Sequence, residues 1–272
     1  MGSGASSAGV CAAAKAMTQE EMTELVGAFD EDARAKLQKA LGGDAPASKS
    51  KGKVLIVATS SSKMGDHETG AWSEEICGPY FVFTDAGFEV TVCSVSGGDI
   101  PIDAGSLSDN FKTENDKRMI EQDCKPLKGT PKLADQDPAS FDICFFAGGH
   151  GTCVDFPTDA VGDFVSKASA AEKVVAAVCH GPMCLVNAKG KDGEPLVKGK
   201  TVSVFSDLEE GQVSLTDKVP FLVEAKLKEL GATVEVADPW TAKAVRDGKL
   251  VTGQNPQSSV AAAKLAIEAF GA

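Results

Sequence analysis

Apolar and polar positions follow two regimes along the chain. Residues 1–16 are small and show no period. From Thr18 to Leu41 the apolar positions Met22, Leu25, Val26 and Phe29 recur at helical spacing, and Thr18 with Glu21 three residues on makes a capping box. This predicts a helix over 18–41, ended by Gly42-Gly43 and followed by a linker from Asp44 to Lys51. Beyond residue 52 the texture changes. Short β-branched runs at 53–59, 89–95, 142–147, 174–178 and 201–205 lack strict alternation, as strands buried on both faces of a parallel sheet do. Stretches 73–86, 158–169, 182–188 and 219–230 read as helices, and a last helix, 256–270, follows apolar runs at 233–237 and 249–253. Alternating β and α units predict a doubly wound α/β sandwich on a mostly parallel sheet, with right-handed crossovers and a site at the carboxyl ends of its strands. The expected division is an N-terminal extension, 1–50, and one α/β domain, 51–272. The polar, Gly/Pro-punctuated stretch 97–138 is too long for a tight connection and reads as a cap over a sheet edge or over the site.

Composition narrows the partners. Of 272 residues 43% are hydrophobic and 24% charged, the mix of a globular chain with a sizeable core. The net charge of -12 argues against nucleic acid and anionic membrane, which need a basic face. No apolar run reaches the roughly 18 residues of a spanning helix. The chain has eight cysteines but no Cys-x-x-Cys pair, and residues 1–20 lack the apolar segment of a secretory signal. The thiols therefore read as reduced and mostly buried, in a cytoplasmic protein without a structural zinc. Gly2 to Ser6 matches the N-myristoylation pattern, with Cys11 as a place for a second lipid, and a plain low-complexity leader fits the same residues.

Three motifs carry chemistry. In VVAAV-Cys179-His180-Gly181-Pro182 a buried strand ends in a tight turn, with Pro182 suited to open a helix. This is the pattern of a nucleophile elbow, and a helix amino end at the sulfur predicts a lowered cysteine pKa. In FFA-Gly148-Gly149-His150-Gly151-Thr152 glycines at a strand end permit close backbone approach, and their N–H groups with that of His180 could form an oxyanion hole. His150 either lines the pocket or satisfies the turn, with the turn slightly favoured. The loop lacks the Gly-x-Gly-x-x-Gly spacing of dinucleotide sites. In Thr69-Gly70-Ala71-Trp72-Ser73-Glu74-Glu75-Ile76-Cys77-Gly78-Pro79, Ser73 is a candidate helix cap, and two glutamates in a first turn also suit the helix dipole.

Together these residues resemble the ThiJ/PfpI superfamily, and most of all its stress-induced, glyoxalase III-like branch. Pro195-Leu196, Gly199-Lys200, Phe205-Ser206-Asp207-Leu208-Glu209-Glu210 and Leu250 to Pro256 extend the resemblance over roughly 52–270. It implies a flavodoxin-like fold, similar to the class I glutamine amidotransferase domain, and a homodimer. It makes Cys179 the nucleophile and His180 its partner. Glu75, four residues before Pro79, becomes the acid facing the sulfur rather than Glu74. Glu210 is the histidine-orienting carboxylate, with Glu209 and Asp207 as fallbacks, and the backbone of Gly149 and His180 forms the oxyanion hole. Some members carry a two-histidine, one-carboxylate metal site, but His67 and Glu68 alone do not make one, so neither metal nor other cofactor is expected.

The implied activity is glutathione-independent conversion of a small 2-oxoaldehyde, methylglyoxal, to D-lactate (glyoxalase III, D-lactate dehydratase). Cys179 would add to the aldehyde, Glu75 or His180 would move the proton, and water would release the acid. Glu75 beside a thiolate in an apolar pocket is expected to have a raised pKa. An amidotransferase or cysteine peptidase takes a later histidine, and none follows His180. A holding chaperone, a redox sensor acting through Cys179, and a deglycase stay open on the same fold.

Overall fold

The computed structural model describes residues 50–271, so the helix expected over 18–41, its capping box, the Gly2–Ser6 pattern and Cys11 lie outside the described residues. The main sheet has six strands. β1 (Lys53–Ala58) is buried at every position but its first. β2 (Glu89–Ser94) and β3 (Ile143–Phe146) flank it in parallel, and β4 (Val174–Val178) continues beyond β3. β5 (Ala244–Asp247) is the antiparallel edge strand, paired to β6 (Leu250–Gly253), which lies parallel to β4. The spatial order is β2-β1-β3-β4-β6-β5. The strand interiors read as continuous apolar runs because both faces are covered: β3 and β4 are buried at every residue.

Seven α-helices accompany the sheet among the described residues: α1 (Ser73–Asp85), α2 (Glu114–Glu121), α3 (Thr152–Asp155), α4 (Asp159–Ala170), α5 (Asp207–Gln212), α6 (Val223–Glu229) and α7 (Ser259–Phe270). From β1 the chain moves outward to β2, and from β3 it moves the other way to β4. Right-handed crossovers then put α1 and α4 on opposite faces, and α7 packs beside α1. The strand order reverses between β1 and β3, which opens a crevice at their carboxyl ends.

Several expected elements come out differently. The run 201–205 is not a strand of the main sheet: only Thr201–Val202 is extended, paired with Thr233–Val234 in a separate two-stranded sheet. The place beside β4 is taken by β6. The chain from Ser203 instead fastens to the strand ends, with Ser203 N–H donating to Thr252 Oγ1 at 2.7 Å and Phe205 N–H to the Cys179 carbonyl at 3.0 Å. The helix expected over 182–188 is a 3₁₀ turn, Gly181–Leu185, and the helix expected over 219–230 narrows to α6. Ser73 is the first residue of α1 rather than its cap: the cap is Trp72, and the Ser73 hydroxyl donates to Asp116 Oδ1 at 2.5 Å. The stretch 97–138 contains α2, opened by a Thr113–Asp116 capping box, and short 3₁₀ turns. It covers α1 and extends the β2 edge through bridges such as Ser94–Lys132.

Candidate active site

Four segments converge at the carboxyl end of the sheet. Cys179 follows β4 with φ +60, a left-handed conformation that costs a non-glycine residue roughly 1–3 kcal/mol. Two bonds hold it there: Cys179 N–H donates to the Gly253 carbonyl at 2.9 Å, and its own carbonyl accepts from Phe205 N–H. The strain turns the side chain out of the strand direction, as an elbow requires. The sulfur lies 3.4 Å from His180 Nδ1. His180 Nε2 is 2.7 Å from Glu210 Oε2, and His150 Nε2 is 2.9 Å from Glu210 Oε1, so one carboxylate joins two imidazoles. The two imidazole rings are 4.1 Å apart, and the Phe205 ring packs 4.5 Å from that of His180.

Glu75 reaches the sulfur from the first turn of α1. Its Oε2 accepts from Gly148 N–H at 2.7 Å, and the carboxyl lies within hydrogen-bond reach of the Cys179 thiol. Gly148 is a glycine for a direct reason: a Cβ there would stand 2.6 Å from Glu75 Oε2 and 2.7 Å from the Val178 carbonyl. Gly149 has φ +94 and presses against the backbone of Gly70 to Trp72, and Thr152 Oγ1 pins its carbonyl at 2.7 Å. Among the described residues neither Gly149 N–H nor His180 N–H donates to another backbone group, and that of Gly149 approaches the Cys179 sulfur.

Burial sets the protonation states. It pushes Glu75 up to about 8, against the hydrogen bonds from Cys179 and Gly148. It pushes His180 down to about 4, helped by His150. It would raise Glu210 too, but the bonds from His150 and His180 prevail and hold it down to about 2. The expected lowering at Cys179 is corrected: burial first, and then the charge of Glu75, push the thiol well above its ordinary value. The turn after it is a five-residue 3₁₀ segment, too short to supply the dipole of a full helix. At neutral pH the site therefore rests with a Cys179 thiol, a protonated Glu75, a neutral His180 and an ionised Glu210.

The other candidates fall elsewhere. Glu74 turns away and accepts from Thr113 Oγ1 at 2.5 Å and Asn115 Nδ2 at 3.1 Å. Glu209 is buried and accepts from Ser206, Trp240, Gln254 and Asn255, while Asp207 N–H donates to Glu224. Neither reaches His180. His67 and Glu68 sit on a small hairpin with no third ligand. Among the described residues the donor atoms of His150, His180 and Glu210 alone come close enough, within 4.8 Å, to span an ion. The Glu210 carboxylate is hydrogen-bonded to both imidazoles. Of the two roles the sequence leaves open for His150, the structure places its ring at Glu210; a histidine between glycines at a strand end is the one signal the sequence carries.

A family model described as DJ-1/PfpI family matches residues 67–269. Glyoxalase 3 of Candida albicans is 34% identical over 234 residues, covering 80% of this chain and 98% of that protein. Glutathione-independent glyoxalase HSP31 of Saccharomyces cerevisiae is 33% identical over 234 residues, with the same coverage of 80% and 98%. The crystal structure of glyoxalase III from Candida albicans superposes with a TM-score of 0.74 at 33% identity, over 80% of this chain and 97% of that one. With these matches over most of its length, the chain belongs to the DJ-1/PfpI family.

Proposed function

We propose that the protein is a glutathione-independent glyoxalase, a lyase that converts methylglyoxal to D-lactate through a nucleophilic Cys179. The observation that carries the reading is the Cys179 sulfur 3.4 Å from His180 Nδ1, with a buried, protonated Glu75 also at the sulfur. Relatives named Glyoxalase 3 and Glutathione-independent glyoxalase HSP31 support it.

Glu210 accepts the His180 Nε2 proton and leaves the lone pair on Nδ1, the atom that faces sulfur. His180 takes the thiol proton as the sulfur adds to the aldehyde carbon. Glu75 protonates the new alkoxide, which is stabilised by the N–H groups of Gly149 and His180. Now ionised, Glu75 removes the proton from the former aldehyde carbon and returns it to the neighbouring carbon. His180 moves a proton between the two oxygens. The product is a lactoyl thioester on Cys179, with His180 protonated and Glu75 ionised, and water then releases lactate. The test is consumption of methylglyoxal with formation of D-lactate in the absence of glutathione. Failure of the purified protein to form D-lactate overturns the reading.

A further inference from the structure

We propose that His150 is the base that activates the hydrolytic water, so that the two imidazoles on Glu210 divide the reaction between them. The inference rests on the glyoxalase reading and concerns its last step. Both Nε2 atoms point at Glu210, one at each oxygen, which leaves both Nδ1 atoms as lone-pair sites in the neutral rings. The two Nδ1 atoms are not equivalent. That of His180 is committed to the Cys179 sulfur, whereas that of His150 has no partner among the described residues. His180 is fully buried, and His150, 8% exposed, is the more open of the pair, on the side water can reach.

The shared carboxylate fits a transfer of charge. In the thioester state His180 holds the former thiol proton and Glu210 faces one imidazolium. Water adds to the thioester carbon, and its proton goes to His150 Nδ1. In the same step the carbon–sulfur bond breaks and the sulfur takes the His180 proton, so the charge leaves His180 as it arrives on His150. The acid formed is lactate plus one proton, which returns Glu75 to its protonated state, and His150 releases its own proton to solvent. No redox partner is needed. Throughout, Glu210 faces a single imidazolium, first His180 and then His150. The 4.1 Å separation of the rings disfavours both being charged at once.

The experiment compares the protein with His150→Gln, whose amide N–H can still donate to Glu210 but which has no basic nitrogen. Rapid quench and intact-mass analysis follow Cys179 during turnover. The expected result is a burst of one equivalent of methylglyoxal consumed at a rate within about threefold of the unmodified protein, then steady-state D-lactate formation slowed about 10²–10⁴-fold. The mass of one lactoyl group should accumulate on Cys179. His150→Ala should behave alike and regain turnover with added imidazole. Slow turnover without an accumulated adduct in either variant, or unchanged turnover, overturns the role of His150. A failure of the unmodified protein to make D-lactate overturns the glyoxalase reading instead.

Discussion

Glu74 and Glu75 are neighbours in one helical turn, yet their carboxylates serve different parts of the fold. Glu75 is wholly buried against Gly148 and Cys179, and Glu74 is fastened to Thr113 and Asn115 of the 97–138 stretch. Successive helical residues diverge by about 100°, so one turn can present a reactive acid to the sheet and a structural anchor to the cap. A second pair repeats the arrangement, with Glu210 on the histidines and Glu209 on Ser206, Trp240, Gln254 and Asn255.

The first prediction separates the members of the first pair. Glu75→Gln should lower kcat by about 10²–10⁴-fold, the usual worth of a general acid–base group. Glu74→Ala should hold kcat within about tenfold but lower unfolding stability by about 1–3 kcal/mol, because Thr113 and Asn115 lose their acceptor. Steady-state kinetics and urea unfolding read the two effects. Equal kinetic losses would place the wrong glutamate at the sulfur.

Activity should be bell-shaped in pH. His180 must be neutral to take the thiol proton, and burial holds it near 4, so the acid limb lies there. Glu75 must carry a proton to quench the alkoxide, and its value of about 8 sets the alkaline limb. The check is kcat/KM from pH 4 to 10; an alkaline limb that survives Glu75→Gln unchanged would remove Glu75 from the assignment.

Stability should carry the same signature. The folded Glu75 binds its proton more tightly than an ordinary glutamate at 4.5, with its pKa up to about 8. Its contribution is therefore fully present below about 4.5 and is lost as pH rises toward 8, with a slope of at most about 1.4 kcal/mol per pH unit. Glu75→Gln should gain stability relative to the parent across this window, as read by urea unfolding at pH 5 and pH 8. A difference that does not change with pH would contradict the buried, protonated acid.

Thiol reactivity offers a further check. Glu75 raises the Cys179 pKa through its charge, after burial. Above pH 8, where Glu75 is ionised, Glu75→Gln should therefore speed alkylation of Cys179 by iodoacetamide, by about tenfold if the pKa falls by one unit. Peptide mapping by mass spectrometry measures it, and slower labelling in the variant would refute the charge coupling.

Glu210→Gln should be as damaging as loss of the base itself. An amide can accept from one imidazole N–H, but its own NH₂ then opposes the other, and one histidine is driven to the wrong tautomer. A kcat loss of about 10²–10⁴-fold is expected, with the fold retained by circular dichroism. Activity within tenfold of the parent would show that the tautomer is fixed by something else.

The sequence by itself carried the elements whose signal is local. Apolar runs without alternation marked β1, β3 and β4 because each is buried on both faces, and β2, at the sheet edge, is buried only over its last three residues. The strand–Cys–His–Gly–Pro pattern marked the turn at Cys179, since few residues suit so abrupt an end to a strand. Tertiary structure decided what depends on distant partners. The run 201–205 has the composition of a core strand, yet β6, much later in the chain, occupies the place beside β4. The Cys179 thiol is raised rather than lowered because of its depth of burial and the acid brought from α1, neither of which the local sequence of a helix start displays. His150 looked like a turn residue because its carboxylate, Glu210, is 60 residues away in the chain and meets it only when α5 docks over the strand ends. Spacing along a strand or helix records which face a side chain takes; which charges share a buried site is a property of the closed fold, where desolvation and Coulomb forces act together.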